Sequence, residues 1–234
     1  MSVTPDRKKK LIDFCKSLGL KFSNIDLLDL AFHHRSCSNE DINFKNTNNE
    51  RLEFLGDSVL GLVAADFLFN DMTKNSEGDL SKIKSAVVSE EALAPVALKF
   101  GLDKMLVLGR GEELSGGRTK KAILADCMEA VIGAYYEDQG FSAAKKYVLS
   151  FLIPEVRKIQ KTGGKDYKSL LQELYQKKYK KCPVYKTVSV TGPGHSKEFK
   201  VTVQLGEVFY GPACGKSKKE AEQLAAKAAY ETLI

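Results

Sequence analysis

The chain has 234 residues, 43% of them hydrophobic, enough for one large or two small packed domains. The formal charge of +6 is unevenly placed, with 14 Lys and no Arg against 7 acidic residues from Lys161 onward and 22 basic against 23 acidic residues before it, a pattern that points to a polyanion partner. No apolar run suits a signal peptide or a membrane span, and five cysteines without a CxxC pair (Cys15, Cys37, Cys127, Cys182 and Cys214) make a poor disulfide framework, so the expected setting is a reducing cytoplasm.

Residues 7–18 read as a helix with Leu11, Ile12, Phe14, Cys15 and Leu18 inward, ended by Gly19. Ser23 or Asn24 is placed to cap a second helix through Leu27, Leu28, Leu30, Ala31 and Phe32. His33 and His34 follow. Adjacent helical residues diverge by about 100°, which makes them a poor ligand pair, so a structural role is expected. Residues 38–48 are polar and Asn-rich and read as a loop.

The next helix has two faces. Glu50, Glu53 and Asp57 fall at 0°, roughly 300° and roughly 340° around it, one acidic stripe. Leu52, Leu55, Val59, Leu62 and Val63 form an apolar stripe wide enough to face a core. Gly61 and Ala64 flank the acids, and such small residues let another backbone or an ion come close. Taken alone, an acidic stripe is a solvated helix face.

Glu77-Gly78-Asp79 looks like a turn with a helix cap, leading into a helix that carries Leu80, Ile83, Val87 and Val88. Ser89-Glu90-Glu91 starts another helix toward Leu98, in which Pro95 predicts a kink or an early stop, because a mid-helix proline costs about 3 kcal/mol. Residues 109–121, rich in Gly and basic residues, lack the GK[ST] of a P-loop and read either as a mobile surface loop or, from their place just before the second acidic helix, as a substrate-facing loop.

A second acid pair, Asp126 and Glu129, lies three residues apart on the nearly all-apolar helix 122–136, with Ala130 and Gly133 on the same side. A segment this apolar belongs in a core, where unpaired acids are expensive. If the two acid-bearing helices pack along these sides, four or five carboxylates converge. At an effective dielectric of 20 and about 5 Å, each like-charge pair costs on the order of 3 kcal/mol. A divalent cation relieves this, and oxygen-only ligands suit Mg²⁺ or Mn²⁺. A shorter helix is expected over residues 142–151.

The pattern changes after residues 161–165, which read as a linker. Tyr167–Tyr179 is helical in period. Residues 184–190 and 199–205 alternate like strands, residues 207–214 suit a third, and residues 218–234 form an Ala-rich helix. Lys216, Lys218 and Lys219 open that last helix, where the positive dipole end and three cations together suit phosphates.

Residues 49–60, NERLEFLGDSVL, resemble the signature motif of the ribonuclease III family. Glu77 to Ser81, Gly109 to Arg118 and Ile123 to Ala130 match that family's other motifs in order. The α-β-β-β-α order of the C-terminal part resembles a double-stranded-RNA-binding domain. The resemblance implies an all-α endonuclease domain over residues 1–160, a linker at 161–165 and an RNA-binding domain at 166–234. It implies a homodimer that cuts double-stranded RNA with Mg²⁺ (Mn²⁺ substituting), leaving 5′-phosphate and 3′-hydroxyl ends with short 3′ overhangs, in ribosomal and other RNA processing. By family position Glu53, Asp126 and Glu129 hold the metal, and Asp57 and Glu129 are the catalytic acids. Glu50 and Glu77 are supporting acids, Glu112 a weaker one. Phe54 falls at the dimer contact. Gln172 and Gln176 face one RNA minor groove, and the loop with Gly192, Pro193 and His195 faces the next. Two other readings stay open, a non-catalytic duplex-binding protein and a helical scaffold with its acids on the surface.

Overall fold

The computed structural model describes residues 3–40, 47–161, 167–193 and 197–233. The chain divides into two units, residues 1–162 and 163–234.

The first unit is built around α9 (Lys121–Gln139), which is apolar almost all round and has eleven buried residues, as its composition requires. It packs along α4 (Glu50–Asp71), α6 (Glu90–Lys99), α10 (Phe141–Lys161) and α2 (Ile25–Ala31). The remaining helices are α1 (Pro5–Leu18), α3 (Arg35–Glu40), α5 (Glu77–Val87), α7 (Leu102–Met105) and α8 (Arg110–Leu114), with a 3-10 turn at Gly117–Thr119. Asn24 caps α2 by accepting from the Leu27 amide, as expected.

The contact between α4 and α9 is made by backbone. A Cβ on Gly56 would lie well inside van der Waals distance of the Glu129 carbonyl oxygen, and one on Gly133 would strike the Leu52 carbonyl oxygen. Helical period places Gly61 beside the acids, where a close approach is expected. Gly61 instead meets only the end of the Lys84 side chain, 3.7 Å away, and Gly56 makes the crossing. The buried face of α4 is turned accordingly: Leu52, Gly56, Val59, Leu60, Val63, Ala64 and Leu68 are inside, whereas Leu62 is 57% exposed.

Other expectations are corrected by packing. Of the kink or early stop expected at Pro95, the early stop does not occur: α6 runs on to Lys99, because Leu93, Ala94, Val96 and Ala97 on both sides of the proline are buried in the core and hold the helix across one missing hydrogen bond. α10 is not short. Leu152 and Val156 continue its buried stripe beyond Phe151, and Arg157 pairs with both carboxylate oxygens of Asp71 at 2.6 Å. α5 starts at Glu77 with Ser76 as its cap, in a reciprocal capping box with Asp79. The expected loop at 38–48 begins later, since α3 reaches Glu40, and residues 41–46 lie outside the described residues. So do 162–165 of the expected linker.

The second unit is a three-stranded antiparallel sheet in the order β1 (Val184–Thr191), β2 (Glu198–Leu205), β3 (Val208–Gly215), with α11 (Tyr167–Tyr179) and α12 (Lys218–Leu233). Val201, Val203 and Leu205 alternate inward on β2 and meet Leu171 and Tyr175 of α11 and Ala221, Ala225, Ala226 and Ala229 of α12. The alanine stripe lets α12 lie close to the sheet.

Gly133→Ala should destabilise the first unit by more than about 3 kcal/mol, because the added methyl meets a fixed carbonyl rather than a mobile side chain. Gly61→Ala should change stability by less than about 1 kcal/mol. Thermal unfolding of the two variants measures the contrast.

Candidate active site

The glycine crossing brings three acids together. Glu53 lies one turn before Gly56 on α4, and Glu129 lies one turn before Gly133 on α9. Glu53, Asp126 and Glu129 each present a carboxylate oxygen within 4.8 Å of the others. All three are partly buried, and burial is the largest cause of the raised pKa of each. Glu129 is pushed up from 4.5 to about 8, by burial first and then by Asp57, Asp126, Glu53 and Glu90. Asp126 also raises Glu53, and Glu90 raises Asp126. Arg35 opposes the shifts of Glu53 and Asp126 without reversing either.

The expected acids sort by position. Asp57 is exposed on the rim and acts on Glu129 and Glu53 by its charge. Glu50 is exposed, faces Arg35 at 3.6 Å and accepts from Asn48. Glu77 is exposed in the first turn of α5, where its carboxylate accepts from the Ser81 hydroxyl at 2.7 Å. Glu90, which opens α6, is the acid outside these motifs whose charge reaches the cluster. Its only sequence signal was a place in a helix start.

Residues 109–121 are folded rather than loose. Arg118 donates to the carbonyls of Asp103 and Leu106 at 2.7 and 2.9 Å and pairs with Glu113, and Lys120 pairs with Glu112 at 2.6 Å. The two histidines lie beyond the end of α2, not on it. His33 makes a parallel bridge to Val107 and its ring meets Asp29 at 3.2 Å. The His34 ring meets the Ser36 hydroxyl at 2.8 Å and lines a cavity beside the acids. Asn49, buried before α4, donates to the Ala31 carbonyl and ties the signature helix to α2.

Phe54 is 78% exposed, so it has no part in this chain's own core. With Leu62 and Phe69 it forms an exposed apolar stripe along α4. In the second unit Gln172, Gln176, Gly192, Pro193, Lys216, Lys218 and Lys219 are all exposed, and His195 lies outside the described residues. Ser217 caps α12 by accepting from the Glu220 amide, while the Glu220 carboxylate accepts from the Lys216 amide.

The family profile described as Ribonuclease-III-like matches residues 24–156, and the double-stranded RNA binding motif matches residues 167–233. The chain belongs to the ribonuclease III family of endoribonucleases. Ribonuclease 3 of Treponema denticola is 57% identical over 230 residues, 98% of this chain and 93% of that protein. Ribonuclease 3 of Borreliella burgdorferi is 48% identical over 229 residues, 97% of this chain and 93% of that protein. A structure of the nuclease domain of ribonuclease III from Campylobacter jejuni, described for flexibility in its dimer-forming region, superposes with a TM-score of 0.56. It is 39% identical and covers 61% of this chain and 95% of that one. The family implies a divalent metal, and the residues fit one. Three oxygen ligands converge, partly desolvated, and their mutual repulsion is what a cation relieves.

Glu129 fixes a pH dependence of stability. Its folded pKa of about 8 exceeds its ordinary 4.5, so the folded state binds the proton more tightly. Stability is then lost as pH rises from about 4.5 to about 8. In EDTA at pH 8, Glu129→Gln should be more stable than the wild type by on the order of 2 kcal/mol, after discounting for solvent screening, and the two should converge near pH 4.5. Unfolding scans at the two pH values measure this, and Mg²⁺ should narrow the gap at pH 8.

Proposed function

We propose that this enzyme hydrolyses phosphodiester bonds in double-stranded RNA with Mg²⁺ as its cofactor and Mn²⁺ as a substitute. The observation that carries the reading is the convergence of three partly buried carboxylates, Glu53, Asp126 and Glu129, within 4.8 Å of one another. The match of residues 167–233 to a double-stranded RNA binding motif supports the choice of substrate.

In this reading Glu53, Asp126 and Glu129 hold the cation. When bound, it supplies Lewis-acid stabilisation of the charge that grows on the phosphate and makes a nearby water more acidic. Glu129 gives up its proton on ligation, so affinity for the metal rises with pH. Asp57 and Glu129 are the catalytic acids. Asp57, exposed on the rim, accepts a hydrogen bond from the attacking water and aims it at phosphorus. Glu50 supports the site through Arg35, and Glu77 supplies an outer acid on the RNA path. The products carry 5′-phosphate and 3′-hydroxyl ends.

The nuclease domain spans residues 1–160 and the RNA-binding domain 166–234. Gln172 and Gln176 on α11 reach one minor groove, the loop of Gly192, Pro193 and His195 reaches the next, and Lys216, Lys218 and Lys219 bind the phosphates between. The exposed Phe54, Leu62 and Phe69 are an apolar surface on a helix whose other side is core, which favours a homodimer through Phe54. Two active sites in such a dimer cut opposite strands and leave short 3′ overhangs. Precursors of ribosomal RNA and other structured RNAs are the substrates, in the cytoplasm. No helix among the described residues is long and apolar enough to cross a membrane.

Cleavage of a long end-labelled duplex should require Mg²⁺, stop in EDTA, and fall by at least about 10³-fold in Glu129→Ala, with duplex binding in Ca²⁺ retained. Binding without cutting under any divalent ion would overturn the enzyme reading in favour of a duplex-binding protein. The double variant Lys218→Ala, Lys219→Ala should bind duplex more weakly at all sequences, with the slope of log K against log salt reduced by about 2.

A further inference from the structure

A cavity of about 390 Å³ opens beside the acid cluster. Its lining includes four acids, Glu50, Glu53, Glu112 and Asp126, and two cations, Arg35 and Lys120. The acids alone repel a polyanion. A strand that places one phosphate at Glu53, Asp126 and Glu129 must bring its neighbouring phosphates into the same negative field, and the cations lining this cavity are what offset it.

Arg35 and Lys120 have their backbones fixed by the fold and their heads paired to carboxylates, Lys120 also donating to the Ser115 hydroxyl at 2.9 Å. Arg35 opens α3, directly after His34, whose ring meets the Ser36 hydroxyl, which in turn accepts from the Gly109 amide at 2.8 Å. Lys120 immediately precedes α9, and its carbonyl accepts from the Leu124 amide. Their heads are in solvated pairs. Arg35 faces Glu50 at 3.6 Å with 68% of its side chain exposed, and Lys120 meets Glu112 at 2.6 Å with 47% exposed. Solvated pairs of this kind contribute little, so a phosphate oxygen competes for both cations. Glu112 is itself fixed by packing: a Cβ on Gly117 would lie 2.7 Å from its Cγ, and its carboxylate also accepts from the Ser115 hydroxyl.

We infer that Arg35 and Lys120 form a seat for the backbone phosphate next to the one being cut, with Glu112 a positioning residue that aims Lys120 into the cavity. This rests on the nuclease reading. It gives Glu112 a part separate from the metal: it holds a cation that holds the strand.

The test has two arms on the full-length chain. In steady-state cleavage of a duplex with Mg²⁺, Lys120→Ala and Arg35→Ala should each raise KM about tenfold with kcat within about threefold, and Lys120→Arg should restore most of the loss. The Mg²⁺ concentration for half-maximal rate should not move in Lys120→Ala. In a Glu129→Gln background, where the duplex stays uncut, anisotropy titrations over a range of salt should show the slope of log K against log salt reduced by about 1 for each variant. Glu112→Gln should give a smaller rise in KM than Lys120→Ala. Thermal transitions within a few degrees of wild type establish that the variants fold.

Unchanged KM and unchanged salt slope in both alanine variants overturn the seat. So does a loss in kcat with a shifted Mg²⁺ requirement, which would place these cations in support of the metal. A wild type that never cuts overturns the nuclease reading instead, and the salt slope of the uncut complex then decides the seat by itself.

Discussion

The crossing of α4 and α9 at Gly56 and Gly133 is the constraint on which the rest of the first unit depends. Two helices with ordinary side chains at their crossing lie 8–10 Å apart. Here the backbone of one rests on the backbone of the other, and acids one turn from the crossing are drawn inside contact range. The same crossing buries the apolar surround of α9, so the energy that assembles the core also forces the carboxylates together. Stability and chemistry are opposed at this place, and the fold carries the opposition because so much apolar surface closes around it.

The electrostatic consequence is graded. Glu129, with four acidic neighbours and the largest shift, stands at the centre, Glu53 and Asp126 form the next ring, and Asp57, Glu50 and Glu90 act from solvent. Each is a carboxylate, but burial and neighbours set them apart, and the proposed tasks follow that division: ligands where water is scarce, water-orienting or supporting groups where it is not. Arg35 tempers this field by its charge on Glu53 and Asp126, and Lys120 lines the same cavity beside Glu112.

The second unit solves a different problem with a small core. One strand, β2, gives its alternate residues to an alanine-faced helix and to α11, leaving the polar ends of both helices to solvent. The residues that face RNA in this reading take almost no part in that core, so the shape of the unit and the chemistry of its surface are set by separate residues. In the first unit one helix crossing serves both.

Much was legible in the sequence because it rested on local patterns. The burial of α9 followed from its composition, the three strands and flanking helices from alternation and helical period, and the acids from their spacing on two helices. The family followed from motifs that are nearly continuous in the chain. The errors have one cause. Helical period alone put Leu62 inside and Gly61 at the crossing, since it fixes relative angles on α4 but not which side α9 meets. Pro95 was read by its local cost, which core contacts on either side offset. Residues 109–121 were read as loose for their glycines, although Arg118 and Lys120 fasten them through partners up to 15 residues away. The sequence by itself determined which residues are acids and which elements they ride on, because those depend on neighbours along the chain. Only the tertiary structure decided that Glu53, Asp126 and Glu129 meet, that Asp57 stays on the rim and that Glu90, Arg35 and Lys120 reach the site, because those depend on how closely two helices approach.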